Sequence, residues 1–355
     1  MGRAQARSLS RLLALAYALL VVYASLHPVG GWHDSGAPLF EFLSAPWPRY
    51  YTWLDIGLNL LAYLPLGLLL VPALQPRLKP GTAVLAAWFL GAALSFVLEV
   101  LQHYLPSRVP SNLDFASNAA GALLGGLLGV RYGRAFAEGG GLTRWRSRRI
   151  VRGRLGDVGL LLIAVWLLAQ VNPETLLFGS GDLRSLLGLE APLEFTAGRF
   201  FLVEQAVAAC GVIAAGLIFW RLMRETSPWL LAALFVAALL IKTLTAILLV
   251  EPQEALHWVT PGNMVGLLIG LVALAASLSL PAPIQQMLAA LALLGGTALV
   301  NLAPENPYLL ETLGRWYQGH FLNFNGLTRL ASSLWPFAAL AFLVAAGPPR
   351  ANPQL

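Results

Sequence analysis

The chain has 355 residues, of which 57% are hydrophobic and only 11% are charged, with a formal net charge of +6. A soluble domain carries about 25% charged residues, so this composition excludes an ordinary globular surface and makes lipid the expected solvent for much of the chain. The single cysteine, Cys210, excludes an internal disulfide and a thiolate metal cluster.

Ten apolar runs follow one another along the chain, and each is long enough, at roughly 20 residues, to cross a bilayer as a helix. They lie at about 11–27, 54–74, 82–102, 114–131, 156–172, 199–221, 229–249, 262–280, 284–302 and 328–346. The sequence therefore predicts an all-α polytopic membrane protein with about ten transmembrane helices.

The basic residues between these runs predict the orientation of the chain. If the N-terminus is cytoplasmic, sixteen of the 23 Lys and Arg residues lie on the inner side and six on the outer side, with Lys242 inside a span. The positive-inside rule then predicts that both termini are cytoplasmic. The residue bias is typical of a GC-rich bacterial genome, so we expect a multi-pass protein of the bacterial inner (plasma) membrane.

A shared pattern, Asn-x-x-Gly-x-x-x-Gly, opens the fourth and the eighth predicted spans and indicates an internal repeat. It comprises Asn118, Gly121 and Gly125 in the first copy, and Asn263, Gly266 and Gly270 in the second. The predicted organisation is 4+4+2. A four-helix unit at 1–133 precedes an Arg-rich cytoplasmic loop at 134–155, a degenerate second four-helix unit at 156–281, and a partial third unit of two helices at 282–355. We interpret the Arg-rich loop as resting on anionic lipid rather than as binding nucleic acid.

The polar residues of the first unit fall at one outer depth of its spans. They are Asp55, Asn59, Glu99, Gln102, Arg108, Asp114 and Asn118. A charge inside a bilayer costs roughly 2.5–3.5 kcal/mol, so these groups should face one another or water rather than lipid. The predicted site is a polar pocket among the second, third and fourth spans, open to the outside.

Each of these residues also has a structural interpretation. Asp114 can be a helix-capping acid after Ser111, Arg108 can pair with Glu99 at the interface, and the two asparagines can join helices by hydrogen bonds. Helix packing is the expected role of Pro65, Gly67, Gly121 and Gly125.

Two segments, "WLDIGLNLLAYLPLG" and "LSFVLEVLQHYLPSRVPSNLDFASNAAGALLG", together resemble the VanZ-like family, over about residues 11–130. The matching residues are the predicted pocket and packing residues named above, whereas His103 lies outside the pattern. The family's founding member is associated with low-level resistance to teicoplanin, a lipoglycopeptide. The resemblance therefore implies a link to glycopeptide resistance and to the cell envelope.

Three functions remain open from the sequence. The favoured one is a protein without enzymatic activity that binds a lipoglycopeptide, a lipid-linked sugar or a lipid headgroup. The second is an enzyme on lipid-linked precursors, with Glu99 or Asp114 as the general base, His103 as its partner and Arg108 as a phosphate clamp. The third is a transporter of a small amphipathic molecule. We expect no cofactor, no metal and no nucleic-acid partner, and the sequence leaves the oligomeric state open.

Overall fold

The computed structural model describes residues 2–27, 30–34, 36–47, 53–75, 77–136, 141–151, 153–247, 253, 255–305 and 322–346. Contact clustering divides the chain into two compact units, Met1–Arg146 and Ser147–Leu355. Within the described residues every named element is a helix, and the one β-type contact is an isolated antiparallel bridge between Ile150 and Met223. The end of the seventh predicted span at 248–249, the segment 306–321 of the predicted last outer loop and the residues after 346 lie outside the described residues.

The helices of the first unit are α1 (Gly2–Leu26), α2 (Glu41–Ser44), α3 (Trp53–Leu74), α4 (Pro80–Gln102) and α5 (Asn112–Phe136), and α6 (Gly141–Arg149) includes the boundary between the units. The second unit contains α7 (Arg154–Ala169), α8 (Leu183–Leu187), α9 (Ala197–Leu222), α10 (Pro228–Thr245), α11 (Pro261–Ser277), α12 (Ala282–Leu302) and α13 (Leu322–Ala345). The segment predicted as a loop at 134–155 thus contains a helix of its own.

Seven of these helices are long and apolar enough to cross a membrane: Asp55–Leu74, Pro80–Gln102, Asn112–Tyr132, Ala197–Leu222, Pro228–Thr245, Ala282–Leu302 and Gly326–Ala345. The apolar parts of α1 and α11, at Leu13–Leu26 and Pro261–Ser277, are shorter, and α7 has only 16 residues. The chain is therefore an all-helical, multi-pass membrane protein, while the count of ten spans stays a prediction.

Close packing of α3 on α5 organises the first unit, and glycine makes it possible. A Cβ atom on Gly121 or Gly125 would overlap the backbone carbonyl oxygen of Leu60 or Leu64, and one on Gly67 would overlap that of Ala122. Small residues of this kind let helix backbones approach each other within a membrane. The structure thus places these three glycines at a helix contact, and α3 continues without interruption through Pro65.

The second unit contains an equivalent contact between α9 and α11. A Cβ atom on Gly266 would overlap the carbonyl oxygen of Gln205, and one on Gly270 would lie 3.0 Å from the Cα atom of Ala209. Gly266 and Gln205 are separated along the chain by the same number of residues as Gly121 and Leu60, which are in contact in the first unit. Two helix pairs therefore cross at glycines with the same spacing.

An aromatic cluster forms the core of the second unit. The Trp166 ring centroid lies 5.2 Å from that of Phe178, 6.1 Å from that of Phe235 and 6.3 Å from that of Trp335. The Trp335 indole Nε1 donates a hydrogen bond of 2.9 Å to the carbonyl oxygen of Leu162. Burying the ring while bonding its N–H satisfies the polar atom of an otherwise apolar side chain.

Candidate functional site

A buried hydrogen bond joins α4 to α5 inside the first unit. The Asn118 side-chain amide Nδ2 donates to the Ser95 hydroxyl Oγ over 3.0 Å, and both residues are buried. Gly91 lies one turn before Ser95, against Ala122 of α5, so the two helices are close at this level. Asn118 therefore acts as an interhelical link, and its second polar atom, Oδ1, is buried without a hydrogen-bond partner in the described structure.

Glu99 is the most buried carboxylate of the predicted site, with only 3% of its surface exposed. Its Oε2 accepts a hydrogen bond of 2.8 Å from the backbone N–H of Ser111, the residue that precedes α5. The Ser111 hydroxyl in turn accepts from the N–H groups of Leu113 and Asp114. The predicted cap at Ser111 is confirmed, and the Glu99 side chain adds a second acceptor for the backbone N–H groups at the start of α5.

Gln102 and Arg108 contact the end of α1. Gln102 Nε2 donates to the carbonyl oxygen of Ser25 over 2.9 Å, and the Arg108 guanidinium donates to that of His27 over 2.8 Å. The last carbonyl groups of a helix have no partner within the helix, so such donors satisfy them. Two residues predicted to bind a ligand thus also fix α1 to the turn between α4 and α5.

The charges at this turn interact. Burial lowers the pKa of the Arg108 guanidinium, and the nearby carboxylates of Asp114 and Glu99 oppose that effect. Burial also lowers the pKa of the His27 imidazole, and the positive charge of Arg108 lowers it further. One cation and two acidic side chains therefore share this end of the unit. The Arg108 Nε is buried with no hydrogen-bond partner among the described residues, although most buried polar atoms have one.

The remaining predicted residues occupy other positions. Asp55 and Asn59 are half-buried on α3, and Asn59 makes no side-chain hydrogen bond in the described part of the chain. The ring of His103 packs edge-to-face on Tyr104, with their centroids 5.2 Å apart. His103 thus packs on Tyr104, which also lies outside the family pattern. Asn118 forms its side-chain hydrogen bond with Ser95 rather than with Asp55 or Asn59.

Sequence reasoning missed Ser95 as a member of this polar core. It is fully buried and lies four residues before Glu99, so both side chains share one face of α4. That spacing is the signal that could have found it. Sequence reasoning also missed Tyr17, whose hydroxyl donates to the carbonyl oxygen of Ala62 over 2.9 Å and links α1 to α3. In the described residues, no group of three or more His, Cys, Asp or Glu side chains is placed to hold a metal ion.

The second unit has its own buried polar groups. Glu204 Oε2 accepts from the Thr260 hydroxyl over 2.9 Å, and that hydroxyl accepts from the N–H of Asn263, so it caps α11. Lys242 is 1% exposed, and its Nζ donates to the carbonyl oxygens of Asn172 and Thr175, each over 2.8 Å. Each unit thus places a buried glutamate against the residue that caps its glycine-rich helix.

No curated protein and no solved structure matches the chain. The model of the VanZ/LLP1 family matches residues 11–132, which covers α3, α4 and the polar groups at the turn into α5. The resemblance indicated by the two sequence segments is therefore confirmed over this range, and the first unit of this membrane protein is a VanZ-like domain.

Proposed function

We propose that this protein binds a component of the cell envelope at the outer end of its first unit, without chemically converting it. The charged turn between α4 and α5 carries the proposal. Glu99 is held buried there against the start of α5, beside Arg108 and Asp114. Ionisable groups within spans are functional candidates because burying them is costly. A lipoglycopeptide such as teicoplanin, or a lipid-linked precursor, offers both anionic groups and hydroxyls for these side chains.

Two buried atoms without a hydrogen-bond partner, one at this turn and one further along α5, support ligand binding in the first unit. The Arg108 Nε is a free donor, and the Asn118 Oδ1 is a free acceptor, in the described structure. An unpartnered buried polar atom costs about 1–3 kcal/mol, so a bound polar molecule or water that reaches such an atom recovers that energy. Arg108 would meet the anionic part of a ligand.

The proposal includes an orientation and a repeat organisation. Ten spans in a 4+4+2 arrangement with both termini in the cytoplasm place the turn after α4 outside the inner membrane of a bacterium. The repeat is supported by the matching glycine contacts of α3 with α5 and of α9 with α11. The shared placement of Glu99 and Glu204 at helix caps also supports it.

The test is teicoplanin susceptibility of a sensitive bacterial host at matched membrane levels of each protein. Wild type should lower susceptibility relative to empty vector, and Glu99→Gln and Asp114→Asn should lose that effect. Glutamine can still accept the hydrogen bond from Ser111, so the first variant removes the ionisable carboxyl group and keeps that contact. The matched control is Glu41→Gln, which removes an exposed carboxylate from the predicted outer segment and should behave like wild type.

Two outcomes would contradict the proposal. Equal susceptibility of wild type and empty vector, together with no binding of teicoplanin or a lipid-linked precursor to the purified protein, would exclude envelope binding of this kind. Turnover of a labelled lipid-linked precursor by wild type, abolished in Glu99→Gln, would instead establish an enzyme.

A further inference from the structure

Four arginines gather on the second unit where α7 and α10 begin and α9 ends. They are Arg148, Arg149, Arg154 and Arg224. Arg148, Arg154 and Arg224 are exposed, and Arg149 is half-buried. The acidic residues on the same segments are Glu225, which is exposed, and Asp157, which is half-buried in the first turn of α7. The segment therefore carries a clear excess of positive charge.

Backbone and side-chain contacts hold two of these arginines, Arg149 and Arg224, in place. The backbone N–H of Arg224 donates to the carbonyl oxygen of Arg149 over 2.8 Å, next to the bridge between Ile150 and Met223. The Arg224 guanidinium donates to the carbonyl oxygen of Ser147 over 2.9 Å. Arg149 and Arg224 are thus held by a folded segment, so binding a ligand costs these two side chains less conformational entropy than it would cost arginines in a flexible loop.

Trp229 lies beside these arginines where α10 begins. The Arg149 guanidinium carbon lies 5.7 Å from the centroid of the Trp229 ring, a cation–π distance, and its NH1 also donates to the Ser227 hydroxyl. Trp229 is 55% exposed at the second position of the span formed by α10. Tryptophan concentrates at membrane–water interfaces, where its ring meets both phases.

The start of α7 continues the same surface with apolar residues. Leu155 and Val158 follow Arg154, and both are exposed, at 42% and 52%. Two helix N-termini, those of α7 and α10, add partial positive charge beside the arginines. The surface therefore combines cationic hydrogen-bond donors with adjacent exposed apolar side chains. A nucleic-acid site needs the cationic donors but not the apolar side chains.

We propose that this surface, formed by Arg148, Arg149, Arg154, Arg224 and Trp229, binds the phosphate headgroup of an anionic phospholipid. The guanidinium groups bind the phosphate oxygens, because arginine matches that geometry with paired donors. The acyl chains lie against the apolar side chains at the start of α7 and α10. This inference does not depend on the function proposed for the first unit.

The test uses full-length protein in a neutral detergent, titrated with dioleoyl-phosphatidylglycerol or dioleoyl-phosphatidylcholine while thermal unfolding is followed. The anionic lipid should raise the unfolding temperature, and the zwitterionic lipid should raise it less. Glycerol 1-phosphate, a headgroup without chains, should have no such effect at the same concentration. Arg148→Gln and Arg224→Gln should each shift the titration midpoint about fivefold, as expected for one arginine at an anionic surface.

The matched control is Arg199→Gln, an exposed arginine at the opposite end of α9. It should titrate like wild type. Equal effects of both lipids, equal protection by glycerol 1-phosphate, or an equal loss in Arg199→Gln would each overturn the proposal. If Arg224→Gln loses helical circular dichroism, Arg148→Gln decides, because the Arg148 side chain makes no hydrogen bond or ion pair with the described residues. If Arg148→Gln then has the same titration midpoint as wild type, the headgroup site is refuted.

Discussion

Substituting glycines on α5 tests how the VanZ-like domain holds its helices together. In Gly125→Ala, the new Cβ atom would overlap the carbonyl oxygen of Leu64 and lie 3.0 Å from the backbone nitrogen of Leu68. These are backbone atoms, so relief requires moving α3 as a whole rather than rotating a side chain. Overpacking of this kind costs about 1–3 kcal/mol, and the better helix propensity of alanine offsets up to about 1 kcal/mol of that.

Two other helical glycines of the same unit, Gly126 on α5 and Gly57 on α3, provide controls for this variant. In Gly126→Ala, the nearest atom to the new Cβ would be the Val84 Cγ1 at 3.4 Å, an ordinary contact. In Gly57→Ala on α3, the new Cβ would have nothing within 4 Å. Both variants should therefore unfold at or slightly above the wild-type temperature, because each gains only helix propensity.

The assay is thermal unfolding of purified protein in detergent, followed by circular dichroism. We expect Gly125→Ala to unfold below both controls, by about 2–4 °C for each kcal/mol in a unit of this size. Equal unfolding temperatures for Gly125→Ala and Gly126→Ala would refute the reasoning. The glycine contact between α3 and α5 would then contribute nothing to stability.

Two further predictions concern other parts of the chain. Lys242→Met keeps the length of the side chain but removes the donors that satisfy the buried carbonyls of Asn172 and Thr175. We expect it to lose about 1–3 kcal/mol of stability, and unchanged hydrogen exchange of the segment around these two residues would contradict that role. A cysteine at Val109, which is 86% exposed, should react with an impermeant maleimide from outside intact cells in a Cys210→Ser background. Labelling only after permeabilisation would reverse the proposed orientation.

Part of the candidate site was predictable because helical periodicity shows which residues share a face. The four-residue spacing from Asp114 to Asn118, with the cap at Ser111, placed the start of α5 correctly. The same reasoning predicted that Gly121 and Gly125 form a packing stripe, which they do against α3. Periodicity does not show which neighbouring group a face meets. Gln102 was therefore expected in a pocket, although its amide bonds to the Ser25 carbonyl.

By itself, the sequence determined that the chain is helical and crosses a membrane. In lipid every backbone N–H and C=O must find a partner within the protein, and a long apolar segment achieves this as a helix. The hydropathy of each segment is therefore enough to predict that the segment forms a helix within the membrane. Tertiary structure alone decided which distant atoms satisfy the buried polar groups, as when Arg108 meets the His27 carbonyl and Lys242 the Asn172 carbonyl. Such pairings depend on helix packing in three dimensions, because the partners lie far apart along the chain.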